Sequence, residues 1–366
     1  MGETIQVISP LDERVLNAYP ITSHDEIEQQ MAAARIAAGI WAGYPLEKRV
    51  ALLAQLKAII LEQCDSIVTT IMAVTGKVKT EVLLGEIYPV LELLRYYQKN
   101  TARILAPCRL TTSPLAFPNA SAQFKRRPYG VVAIISPWNF PFQLTLSPMI
   151  TALFSGNAVV FKTSELSIPV GELIMQLLSR IGLPEGLVQH IIGKGETGAQ
   201  LIDSRPDLVF FTGGLTAGRA IMAKAAQYPI PVLLELGGKD AMLVFDDANL
   251  ERACNAAMYG AFSNSGQVCA AIERLYVQDS CYPQFLKMLQ EAASKLTIGH
   301  GPEGDLGALT SMNQYAVVEA HYQDAIAKGA KASAPLQLQG RYLKPVVLWD
   351  VSHDMRVMRE ETFGAL

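Results

Sequence analysis

Four short segments of this 366-residue chain stand out for their residue types, and two of them set a reactive side chain in an exposing turn or strand end. Asn264-Ser265-Gly266-Gln267-Val268-Cys269 puts a thiol in a turn of small residues after a helical stretch. A loop cysteine can supply thiolate, the nucleophilic form. Leu234-Glu235-Leu236-Gly237-Gly238-Lys239 puts a carboxylate, a potential proton acceptor, at the end of an apolar run beside two glycines. Pro128-Tyr129-Gly130 leads a strand into Ile135-Ser136-Pro137-Trp138-Asn139-Phe140-Pro141-Phe142, and Arg359-Glu360-Glu361-Thr362-Phe363-Gly364 comes near the last residue.

Two glycine groups could approach a phosphate. Gly193-x-Gly195-x-x-Gly198 has the dinucleotide-binding spacing and follows a predicted strand, so a pyrophosphate could rest on the next helix N-terminus. The acidic residue expected at the end of the next strand is missing, since that strand closes in Phe210-Phe211-Thr212. A tight surface turn is the plainer reading. Phe211-Thr212-Gly213-Gly214-Leu215-Thr216-Ala217-Gly218 directly follows an apolar strand. Bare backbone there allows close approach, and the following helix offers free N–H groups and its positive dipole end. A glycine-rich turn with unusual backbone angles is the alternative.

In order and spacing these segments resemble the aldehyde dehydrogenase superfamily, from the N-terminal helices to the last residue; ISPWNFPF with LELGGK and GQVC is a highly specific combination. The resemblance implies that Cys269 attacks the aldehyde carbon. Asn139 and the Cys269 main-chain N–H would donate to the oxygen of the thiohemiacetal, a contribution of about 3–4 kcal/mol to the barrier for preorganised donors of this kind. Oxidation by the nicotinamide leaves a thioester, and Glu235 activates water to hydrolyse it, in apolar surroundings expected to raise its pKa. Glutamate at this position also argues against transfer to coenzyme A. Cys64, Cys254 and Cys281 are read as unreactive.

For the cofactor, the resemblance assigns Ile135, Ser136, Pro137 and Trp138 after the first strand, with Phe211, Gly213, Gly214 and Gly218 at the second glycine group. It also assigns Leu236 beside Glu235, and Glu361 and Phe363 against the nicotinamide ribose and ring. Lys162 and Glu165 match the adenosine-ribose contacts, and a carboxylate there repels a 2′-phosphate, so NAD is expected, with NADP as the alternative. Serine is common in the family where Gly214 stands. The Gly193–Gly198 motif falls near the adenine end, outside the pyrophosphate site.

The elements that must hold these residues read as α/β. The first hundred residues suggest three helices: one capped by Ser23 and Glu26, one opened by Pro45 with Val50, Leu53, Leu56 and Ile60 as its stripe, and one from about Lys79 to Lys99. All three read as packing surface. Residues 123–127 suggest an exposed strand. Strand and helix then alternate, with buried parallel strands at Val131–Ile135, Ala158–Lys162, Leu187–Ile192 and Leu208–Phe211. This predicts a doubly wound, Rossmann-like parallel sheet with ligands beyond its carboxyl ends. The expected division is a cofactor domain (1–107 and 128–235), a small β oligomerisation arm (108–127), and a second α/β catalytic domain (236–366).

Half the residues are hydrophobic and 18% charged, enough for a large core. A net charge of -3 gives no basic field for nucleic acid. The apolar stretch Val131 to Phe161 is interrupted by Pro137, Pro141 and Pro148, so no membrane span is expected. Five cysteines without CxxC spacing and five scattered histidines give neither a disulfide framework nor a metal site, and a cytoplasmic protein is expected.

The family pattern has proline after the EExFG glycine, whereas Ala365 and Leu366 follow it here. The expectation is a C-terminally truncated product or a fragment, lacking part of the substrate funnel and an intersubunit strand, with a homo-oligomer for a full-length form. The alternative to an active enzyme is therefore an inactive NAD-binding or subunit-associating protein. Leu144, Ser147 and Ser263 are expected to line the aldehyde tunnel. Small groups and the lack of a nearby arginine favour an apolar aldehyde.

Overall fold

The structure, a computed structural model, describes residues 3–113, 115–299 and 304–366. It opens with an antiparallel pair, β1 (Thr4–Ile8) and β2 (Val15–Pro20), where the sequence reading expected only helices. β1 buries only Ile5 and Val7, a period-two signal too short to stand out. Helix α1 (His24–Gly43) has its full capping box: the Ser23 side chain accepts from the Glu26 N–H, and the Glu26 carboxylate accepts from the Ser23 N–H. Helix α2 (Leu46–Glu62) buries Leu53, Leu56 and Ile60 as its stripe requires.

Helix α3 (Cys64–Thr75), absent from the sequence reading, ends at Gly76 in the left-handed conformation, φ 77°. The third expected helix is longer and broken. A single turn, α4 (Lys79–Val82), runs through a π turn (Leu83–Ile87) into α5 (Tyr88–Leu105). The exposed segment that follows pairs β3 (Cys108–Leu110) with β4 (Ala122–Phe124) as a hairpin.

The central sheet is parallel, in the order β7-β6-β5-β8-β9, from β5 (Val131–Ile135), β6 (Ala158–Lys162), β7 (Val188–Ile191), β8 (Leu208–Gly213) and β9 (Val232–Leu236). Every residue of β5 and β6 is buried, as expected of strands covered on both faces. Helices α6 (Gln143–Phe154), α7 (Ile168–Ser179), α8 (Gly195–Asp203) and α9 (Leu215–Ala225) make the connections. From β5 the chain winds outward to β7, then returns to β8 on the other side. The crevice at the carboxyl ends of β5 and β8 is therefore the switch point where such sheets bind ligands.

Beyond Glu235 a smaller parallel pair forms, β10 (Asp240–Val244) with β11 (Ile272–Val277). Helices α10 (Leu250–Phe262), α11 (Tyr282–Lys295) and α12 (Met312–Ala327) pack around it. Val244, Phe262, Phe285, Leu309 and Val318 belong to a core cluster separate from that of the five-stranded sheet. Among the described residues no single helix is long and apolar enough to cross a membrane; only the pair α2 and α3, bent by 74°, passes that test together.

Candidate active site

The chain leaves β5 into residues 136–142, and both ends of this loop are tied down. The Ser136 N–H donates to the Lys162 carbonyl at 3.0 Å, prolonging the β5–β6 ladder. The N–H groups of Phe142 and Gln143, at the start of α6, donate to Glu86 Oε2 at 3.1 and 2.9 Å. Between these anchors Asn139 is buried, and its Nδ2 donates to the Gln267 carbonyl at 3.1 Å. Asn264 Nδ2 in turn donates to the carbonyls of Asn139 and Gln267, at 3.2 and 3.0 Å.

The turn before Cys269 is strained. Asn264, Ser265 and Gly266 take φ values of 53°, 55° and 76° in succession. For the two non-glycines this costs on the order of 1–3 kcal/mol each and persists only where the surroundings over-determine it. They do so here. The Asn264 N–H donates to the Glu81 carboxylate, Ser265 Oγ to the Gly307 carbonyl at 2.8 Å, and the Thr310 N–H to Gln267 Oε1 at 2.9 Å. Gly266 is required, because a Cβ would stand 2.2 Å from the Gly364 carbonyl.

Cys269 is half-buried. Burial pushes its thiol above the ordinary 9.0, and the carboxylates of Glu361 and Glu235 add to this. The main-chain N–H groups of Cys269 and Ala270 pull the other way. At neutral pH the group is a thiol, and a base must take its proton before it can act as nucleophile.

Cys269, Glu235 and Asn139 line one cavity of about 490 Å³ together with Trp138, Leu236, Glu361 and Phe363. Two further spaces join it. A cleft of about 660 Å³ shares Pro137, Trp138, Gly213 and Gly214 with it and extends past Ile135, Ser136 and Phe211 to Lys162 and Glu165. An apolar groove of about 600 Å³ shares Leu144, Glu235 and Cys269 with it and runs past Leu93, Val132, Ser147, Phe210 and Leu233. The three together form one path, with Cys269 where the cleft side meets the groove.

The cleft suits a nicotinamide dinucleotide. Glu361 Oε1 is buried without a hydrogen-bond partner and belongs to a carboxyl that lines the cavity. Burial, and then the neighbouring Glu273 carboxylate, push the Glu361 carboxyl up to about 6. At Gly214 an added Cβ would meet nothing within 4 Å, so the N-cap of α9 is bare toward the cleft. Lys162 is buried, with its Nζ donating to the carbonyls of Gly193 and Thr163 at 2.8 and 3.1 Å. On the other side, Glu273 accepts from the N–H groups of Thr362 and Phe363, and Phe363 meets Trp138 edge to face with centroids 5.6 Å apart.

Three expectations change. Gly218 is not among the residues lining the cleft; a Cβ there would stand 2.6 Å from Leu236, so α9 packs closely on β9 at this glycine. Glu235 is exposed rather than enclosed by apolar side chains, because it shares one face of edge strand β9 with the 52%-exposed Leu233. Ser263 lies apart from Leu144 and Ser147, lining a separate cavity with Phe140 and Glu81. The Gly193–Gly198 motif contributes Gly195 and Gly198 to the far end of the cleft beside Glu165.

Sequence reasoning missed Gln314 and Val317 of α12, which line the same cavity as Trp138, and Glu81, Glu86 and Lys77 behind the site. Residues of α12 carry no motif and reach the site only through tertiary packing. Among the described residues no group of three histidine, cysteine or acidic side chains could hold a metal ion.

The sequence model described as "Aldehyde dehydrogenase family" matches residues 1–366. A protein of Methylomonas sp named 4,4'-diapolycopene aldehyde oxidase is 58% identical over 363 residues, covering 99% of this chain and 68% of its own length. The NADP-dependent glyceraldehyde-3-phosphate dehydrogenase of Bacillus halodurans C-125, solved with NADP, superposes with a TM-score of 0.93 at 34% identity. It covers 100% of this chain, which spans 77% of it. PnpE, solved with nicotinamide adenine dinucleotide, superposes with a TM-score of 0.93 at 29% identity, over 100% of this chain and 76% of its own.

Proposed function

This chain belongs to the aldehyde dehydrogenase family, and we propose that it oxidises a long, apolar aldehyde to its carboxylic acid with NAD. Oxidation of an aldehyde to the acid with NAD or NADP is the family reaction; the substrate class, the cofactor preference and the residue roles are the proposal. The observation that carries it is the apolar groove reaching Cys269, which no lysine or arginine lines among the described residues. A semialdehyde would place its carboxylate against this apolar lining with no cationic partner. Similarity to a protein named for an aldehyde of 4,4'-diapolycopene supports a long hydrocarbon chain.

Cys269 Sγ adds to the aldehyde carbon as its proton leaves to a base, for which Glu235 in the same cavity is assigned. The Asn139 amide and the Cys269 N–H donate to the oxygen of the tetrahedral adduct. When bound, the nicotinamide supplies the two-electron acceptor that turns this adduct into a thioester on Cys269. Glu235 releases the thiol proton to solvent, and as carboxylate again takes a proton from water as the water adds to the thioester carbon; the sulfur leaves as thiolate and the acid departs. The exposure of Glu235 gives it access to water. Ile135, Ser136, Pro137, Trp138, Lys162, Glu165, Phe211, Gly213, Gly214, Leu236, Glu361 and Phe363 would hold the cofactor, with Gly218 acting through packing. Glu165 would favour NAD by repelling a 2′-phosphate.

Residues 1–107 and 128–235 are taken as the cofactor domain, 108–127 as an arm for a homo-oligomer, and 236–366 as the catalytic domain. Five free cysteines suit a reducing cytoplasm. The test compares kcat/KM for a series of alkanals, a long polyenal and succinate semialdehyde. The proposal expects kcat/KM to rise with apolar chain length. Preference for the semialdehyde would sink it.

A further inference from the structure

Behind the site, three of the four charged side chains in residues 77–87, those of Lys77, Glu81 and Glu86, contact the site loops or one another, and the reaction above does not use them. Lys77 and Glu86 are both fully buried and paired, Nζ to Oε1, at 2.6 Å. The same ammonium sits 3.6 Å from the centroid of the Phe140 ring, next to Asn139. Glu86 Oε2 accepts the N–H groups of Phe142 and Gln143. Glu81, five residues earlier, accepts the N–H of Asn264 and leaves its own Oε2 buried without a partner. One carboxylate therefore grips the loop that carries Asn139, and the other grips the turn that leads to Cys269.

A five-residue spacing would set two side chains roughly 140° apart on an α-helix of 3.6 residues per turn. The π turn Leu83–Ile87 underwinds this stretch through its i→i+5 bonds, which swings Glu86 toward the side used by Glu81. Gly85 gives the room, since a Cβ there would stand 2.9 Å from the Phe140 ring. A buried ion pair is seldom more stabilising than apolar side chains of the same volume, so stability alone does not account for this one. Its directed contacts do fix two loops against one rigid segment.

We propose that Lys77, Glu81 and Glu86 are positioning residues that set the distance between the Asn139 amide and the Cys269 sulfur. This rests on the reading of Asn139 as the donor to the developing oxyanion. The pair acts through Glu86 on the Asn139 loop; Glu81 acts on the Cys269 turn.

The test uses p-nitrophenyl acetate, which acylates a reactive cysteine without cofactor as p-nitrophenolate leaves, beside aldehyde turnover. Lys77→Met with Glu86→Gln is neutral and near-isosteric, which avoids a lone buried charge and keeps an acceptor for Phe142 and Gln143. A displacement of the Asn139 loop predicts a loss of about 10²-fold in the acylation burst and in kcat, with KM for the aldehyde little changed. Alkylation of Cys269 by iodoacetamide, which needs no oxyanion donor, is expected to be unaffected. Combined with Asn139→Ala, the pair should cost nothing further, because the donor it positions is gone. Losses that multiply, or a fall in melting temperature with the burst intact, would overturn the assignment. Asn139→Ala without effect on the burst would instead remove the oxyanion reading on which it rests. Glu81→Gln gives an independent arm: it should slow acylation and iodoacetamide alkylation together, and no change in either would overturn its part.

Discussion

The Nδ2 of Asn139 donates to the main-chain carbonyl of Gln267 across 3.1 Å, joining two loops 128 residues apart in sequence. The bond ties the residue assigned to the oxyanion directly to the turn that presents the thiol, and it leaves the second amide N–H of Asn139 for substrate. Asn139→Ala removes both contacts. The acylation burst should fall by roughly 10²–10³, as for the loss of one preorganised donor, while cofactor affinity, measured by quenching of tryptophan fluorescence, holds.

The Cys269 thiol is held above its ordinary value, by burial first and then by Glu361 and Glu235. Alkylation of the cofactor-free protein by iodoacetamide should therefore climb with pH along a curve whose midpoint lies above 9.0. At pH 8 it should be slower than for a free cysteine, because less thiolate is present. A midpoint below that of free cysteine would contradict the electrostatics of the site.

The Glu361 carboxyl, ordinarily near 4.5, is pushed up to about 6 by burial and Glu273. A raised carboxyl favours the folded state while protonated. Its penalty is absent below 4.5, grows as pH rises through 6, and stays constant above. Glu361→Gln should then be more stable than the parent at pH 8, by about 1 kcal/mol once solvent screening of this half-buried group is allowed for. That gain should vanish at pH 4. The same variant should bind cofactor more weakly, and the parent should lose cofactor affinity as pH falls through about 6. Melting curves and cofactor titrations at the two pH values check both signs.

Glu165 and Lys162 share the far end of the cleft. Glu165→Gln removes the charge that would face a 2′-phosphate, so the ratio of KM for NADP to KM for NAD should fall by about tenfold or more, roughly 1.4 kcal/mol. An unchanged ratio would show that cofactor preference is set elsewhere.

Much of this was legible because chemistry and turn geometry leave local marks. The strands β5, β6 and β8 read directly as short apolar runs, and the capping box placed α1 at Ser23. Cys269, Glu235, Asn139 and Glu361 stand in segments specific enough to be found from sequence and are brought to one cavity. What sequence could not give depends on contacts between distant segments. The π turn at Leu83–Ile87 looks like ordinary helix in one dimension, so nothing local marks Glu81 and Glu86 as turned toward the site. The exposure of Glu235 and Leu233 follows from the place of β9 at the sheet edge, which no local pattern encodes. Ser263 was expected beside Leu144, but the left-handed run at Asn264 and Ser265 turns it into another cavity.

The most direct test of the central claim is formation of reduced nicotinamide by this chain with NAD and a long apolar aldehyde, beside Cys269→Ala. The account predicts turnover in the parent, trapping of an acyl group on Cys269 detectable by mass spectrometry, and loss of both in the variant. Folded protein that binds NAD yet neither reduces it nor acylates Cys269 would contradict the account.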